Sequence, residues 1–117
     1  MSDKKILIST CAGSSDVGEL AYRVMRKLAK DGLGRTNCLA GVGAHVNGFV
    51  ENAKTAEFTV AIDGCPTSCA RKVLEHVGAK TQSFVITEMG YAKGKTEVTD
   101  EAVNDIAAKI ADEINKQ

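Results

Sequence analysis

The chain lacks a charge of its own. Fifteen Lys and Arg stand against fifteen Asp and Glu, spread along the sequence without a basic block. Nothing is therefore expected to attract nucleic acid or anionic lipid. A long apolar run is also missing. The N-terminal MSDKKILIST has two lysines and an apolar stretch too short for a signal peptide or a membrane span, so a cytoplasmic protein without membrane contact is expected. There is a single proline, Pro66, and no linker, low-complexity tract or internal repeat. The sequence reads as one domain over 1–117, long enough to bury a core without help from a disulfide or metal. GxxxxGK[ST] is absent, and Gly41-Val42-Gly43-Ala44-His45-Val46-Asn47-Gly48 lacks the third glycine of a dinucleotide fingerprint. That stretch reads as a tight strand-to-helix turn.

What is present is an alternation of two periods. The runs from Lys4 to Ser9 and from Phe58 to Asp63 are short, β-branched and almost continuously apolar, as in buried parallel strands. Ser83 to Thr87 resembles them, and Thr36 to Ala40 is a shorter candidate. Val17, Leu20, Ala21, Val24 and Leu28 form one helical stripe ending near Asp31-Gly32. Val103, Ile106, Ala107, Ile110 and Ile114 form another, with Thr99 as N-cap and Asp100 and Glu101 in the first turn. Shorter stripes at Val46, Phe49, Val50, Ala53 and at Ala70, Val73, Leu74, Val77 add two helices. Strand and helix alternate throughout, which predicts an α/β fold: an open, mainly parallel, Rossmann-like sheet of about four strands with helices on both faces.

The four cysteines fall into place on that outline. Cys11 follows the first strand, Cys38 the second and Cys65 the third, twenty-seven residues apart each time. All three belong at strand C-terminal ends, where open parallel sheets bind ligands. Pro66 suits a first helical position, so the third helix is expected to start at Cys65 or Pro66. Cys69 then lies one turn above Cys65 on the same helix face, with Gly64 as a flexible turn before them. Paired structural disulfides are not expected in a reducing compartment. Four thiolates suit a closed tetrahedral Zn²⁺ site at Cys11, Cys38, Cys65 and Cys69, and the same set suits an iron–sulfur cluster. Helix N-terminal amides would offset part of the negative charge, with Arg71 and Lys72 as outer help. The plain alternative is four small buried hydrophobes.

With Asp63-Gly64-Cys65, Cys69 four residues on, and Cys11 and Cys38 in place, nearly the whole chain resembles the DGC-domain family. These are small bacterial and archaeal proteins named for an Asp-Gly-Cys motif, with four characteristic cysteines to which zinc binding is ascribed. The resemblance implies zinc as the ligand of the four cysteines and no particular substrate, pathway or protein partner.

A competing class is a thiol-based enzyme or carrier, working in redox, sulfur or phosphoryl transfer through Cys11 or the Cys65/Cys69 pair. Cys11-Ala12-Gly13-Ser14-Ser15-Asp16 places a thiol on a loop feeding a helix, where the dipole activates it and backbone amides cradle an anion. The arginine of a cysteine-phosphatase loop is missing, however. Ser15 or Asp16 is explained as an N-cap, with Glu19 completing a capping-box-like pair with Asp16. His76 belongs near a helix C-terminus, His45 is a ligand only if its loop folds toward Cys38, and Glu88 to Tyr91 occupy the same edge as the cysteines.

Overall fold

The computed structural model describes residues 5–117. Lys4, at the start of the first expected strand, and the residues before it lie outside them. Four strands, β1 (Ile6–Thr10), β2 (Arg35–Thr36), β3 (Phe58–Asp63) and β4 (Thr81–Val85), form one all-parallel sheet in the order β2-β1-β3-β4. Ile6 pairs with Phe58 and Thr10 with Ile62, while Thr59 pairs with Thr81 and Asp63 with Val85. Every residue of β1 is buried, because helices cover both sheet faces.

On one face lie α1 (Asp16–Lys30) and α5 (Asp100–Asn115). Their stripes, Val17, Leu20, Val24 and Leu28 against Ile106, Ile110 and Ile114, close over Ile6, Ile8, Val60 and Ile62. The other face carries α2 (Leu39–Gly43), α3 (Asn47–Thr55) and α4 (Cys69–His76). It is thinner, with Val42, Ala53, Ala70 and Leu74 packed on Ala61. Capping explains the ends of the long helices. Ser15 Oγ accepts from Gly18 N at 3.1 Å, and Thr99 Oγ1 accepts from Ala102 N at 3.1 Å. The N-cap of α1 is thus Ser15, while Glu19 pairs with Arg23 at 2.7 Å and does not close a box with Asp16.

Three expectations are corrected. The second strand is only Arg35–Thr36, since Cys38 already caps α2. That additional short helix replaces the tight turn, and Gly41 is needed within it because a Cβ there would lie 2.4 Å from the Phe49 ring. The last strand starts two residues early and gives way at Ile86 to a 3-10 turn, Ile86–Met89. The third correction concerns α4, which starts at Cys69, later than Cys65 or Pro66. Ser68 N bonds Cys65 O at 3.1 Å, so Pro66 and Thr67 are the central residues of a tight turn, where proline's φ suits the first of them. Ser68 then takes a left-handed conformation, φ 53°, ahead of the helix.

Candidate functional site at the carboxyl edge of the sheet

The buried carboxylate of Asp63 sets the start of α4. Its Oδ1 accepts from Ala70 N at 2.8 Å and its Oδ2 from Arg71 N at 3.1 Å, so it serves two of the unpaired amides of the helix from outside the helix. Cys65 and Cys69 therefore flank a turn and do not share a helix face. Gly64 is pressed onto α1: a Cβ would stand 2.6 Å from Gly18 N and from the Val17 carbonyl carbon. Its own carbonyl accepts from Thr87 N at 3.1 Å. The Asp-Gly pair thus anchors both sides of the Cys65 loop, one residue by capping and the other by close approach.

The thiols occupy one edge at different depths. Cys38, Cys11 and Cys65 follow the adjacent strands β2, β1 and β3, and Cys11 N donates to Ile62 O at 3.4 Å across the strand boundary. Cys11 and Cys65 are half-buried against the α1/α5 core, whereas Cys38 and Cys69 are exposed. Cys11 and Cys38 line a common cavity with Tyr22 and Met25. Cys38 Sγ accepts from Gly41 N at 3.4 Å. All four cysteines are free, and as soft donors they suit zinc chemically. Their side chains are not gathered as they stand: among the described residues, no group of three or more His, Cys, Asp or Glu is arranged to hold a metal ion. His45, with φ 60°, instead meets His76 edge to face, at 5.5 Å between ring centroids.

A residue that sequence reasoning passed over completes the site. Lys93 Nζ lies 3.7 Å from Cys65 Sγ. Hydrogen bonds from Thr67, side chain first and then backbone, together with the Lys93 ammonium, hold the Cys65 thiol below its ordinary pKa. Lys93 is delivered by a loop tied to α1, where Asp16 accepts from Gly94 N at 2.9 Å and Thr96 N at 3.0 Å. These bonds, that from Gly94 foremost, keep the Asp16 carboxyl more acidic than usual. Farther along, Tyr91 Oη donates to Asp105 at 2.6 Å, and that bond pushes the phenol up to about 12. The helix start that the competing thiol reading would use to cradle an anion is already served: Asp16 takes Val17 N at 2.8 Å and Ser15 takes Gly18 N. Arg71 contributes its backbone amide to Asp63, while the Lys93 ammonium lies against the Cys65 sulfur. Only the long-range tie from Asp16 reveals this, and nothing local in the sequence signals it.

Among the described residues no helix is long and apolar enough to cross a membrane. No solved structure significantly matches the chain. The anaerobic and virulence modulator AnvM of Pseudomonas aeruginosa is 33% identical over 88 residues, covering 74% of this chain and 67% of AnvM. The family model of the DGC domain matches residues 7–110. With Asp63, Gly64 and Cys65 at the centre of the edge just described, the chain belongs to the DGC-domain family.

Proposed function

We propose that this protein is a regulatory module that takes up Zn²⁺ through Cys11, Cys38, Cys65 and Cys69. The observation that carries the reading is the placement of three thiols after three adjacent strands, with the fourth at the start of the helix after the third strand. Neighbouring strands lie about 4.8 Å apart, so such loops converge on a small volume. Bound zinc would cross-link these loops and neutralise their thiolates. Cys38 and Cys69 face solvent, so taking up metal requires them to turn toward the half-buried pair. A site with movable ligands suits sensing or handing over metal better than a permanent structural role, since the sheet and both helical layers bury apolar cores of their own. The name of AnvM, anaerobic and virulence modulator, supports a regulatory setting.

A second reading rests on the contact between Lys93 and Cys65, which favours thiol chemistry at that residue. Elemental analysis and a visible spectrum of freshly purified protein separate the readings. One colourless zinc per chain, lost or severely weakened on changing any one of the four cysteines to Ser, supports the first. A brown chromophore identifies an iron–sulfur cluster. A metal-free protein whose Cys65 alone reacts rapidly supports the second.

A further inference from the structure

At the end of β1, between side chains of α1 and the start of α2, there is a cavity of about 380 Å³, lined in part by Thr10, Cys11, Tyr22, Met25, Cys38 and Val73. Its size is that of a small-molecule pocket, and its wall is mostly apolar with one aromatic ring and few polar groups. It also lies at the carboxyl edge of a parallel sheet, where Thr10 and Cys11 at the end of β1 stand beside Asn37 and Cys38 after β2. Tyr22 remains 48% exposed at the rim. Two of the four thiols line this wall. Cys11 is half-buried, while Cys38 is open to solvent and its sulfur accepts a hydrogen bond from the Gly41 N–H at 3.4 Å.

We propose that this cavity binds a small, uncharged, apolar electrophile and that Cys38 is the nucleophile that captures it. The apolar wall selects an uncharged body, and a thiol at its margin selects a soft electrophilic carbon. With an α,β-unsaturated carbonyl compound the Cys38 thiol gives its proton to solvent, and a sulfur electron pair forms a C–S bond to the β-carbon. The π pair of the C=C bond moves to the α-carbon, which takes a proton from water. The product is a neutral thioether, and nothing is oxidised or reduced. The capture needs the Cys38 sulfur unligated, so it competes with zinc uptake and belongs to the metal-free chain.

The probes are N-phenylmaleimide and N-(2-hydroxyethyl)maleimide, which share a reactive ring and differ in apolar body. They are applied to the full, metal-free chain under reducing conditions and read by site-resolved mass spectrometry. Cys69, exposed and outside the cavity wall, is the internal reference. The phenyl reagent is expected to label Cys38 severalfold faster, relative to Cys69, than the hydroxyethyl reagent does. N-phenylsuccinimide, which lacks the alkene, should protect Cys38 and leave Cys69 unchanged. Tyr22→Ala, a change at the exposed rim, should reduce the preference. Equal Cys38-to-Cys69 ratios for the two reagents, absence of protection, or an undiminished preference in Tyr22→Ala would overturn the proposal.

Discussion

Lys93 and Cys65 meet at 3.7 Å although 28 residues separate them in the chain. The contact exists because Asp16, at the start of α1, holds the amides of Gly94 and Thr96 and so fixes the loop between. The reactivity of one thiol is thereby tied to a carboxylate that does not touch it.

Lys93→Met should raise the pH midpoint of Cys65 alkylation. The thiolate is the reactive form, so the rate at neutral pH should fall while the plateau at high pH stays unchanged. Site-resolved labelling across a pH series measures this, and an unmoved midpoint would remove Lys93 from the site.

Asp16→Asn should weaken the hold on the same loop. Because the folded carboxyl is more acidic than its ordinary 3.8, its contribution to stability is present above that value. The contribution is lost as pH falls through the lower folded value. The stability difference between wild type and variant should therefore be constant near neutrality and shrink below about pH 4. A difference that grows on acidification contradicts the assignment.

Asp63→Ala removes a buried carboxylate that accepts two helix amides, and should destabilise the domain by about 2–3 kcal/mol in urea melts. Asp63→Asn, which retains one acceptor oxygen, should recover part of the loss. Full stability in the alanine variant would mean that α4 is capped by other means.

Gly64→Ala forces a Cβ to within 2.6 Å of the α1 backbone. Neither partner is a flexible side-chain tip, so the loop must shift, at a loss of about 1–3 kcal/mol. Hydrogen exchange should show the opening concentrated around Thr87 and the first turn of α1.

Thr59→Val should stabilise the protein by about 1 kcal/mol, because the Thr59 hydroxyl is buried without a hydrogen-bond partner among the described residues and a methyl group fills the same space. Thermal denaturation at fixed pH tests the sign.

Much of the fold was legible where burial is two-sided or amphipathic. The run Phe58 to Asp63 is a strand over those residues, and the stripes beginning at Val17 and Val103 are α1 and α5, with Thr99 as cap. The shorter elements were less legible because tertiary contacts decide them. The strand pattern from Thr36 to Ala40 yields to Cys38 as a cap, and Pro66 enters a turn because Asp63, three residues earlier in the chain, reserves the helix start for Cys69. Placing the cysteines at one edge needed only the order of elements. Their unequal depth, and the approach of Lys93 to one of them, depend on loop packing that leaves no periodic trace.

The shortness of β2 has a consequence for how these molecules behave when concentrated. A sheet edge presents unpaired amides and carbonyls that recruit further strands, and the usual end point is fibrous aggregation. At the β2 side that edge is the two exposed residues Arg35 and Thr36, after which the chain turns into a helix. Too little straight backbone remains there for another copy to extend the sheet past β2, and the arginine places a positive charge where two such edges would meet, so the β4 side is left as the longer edge.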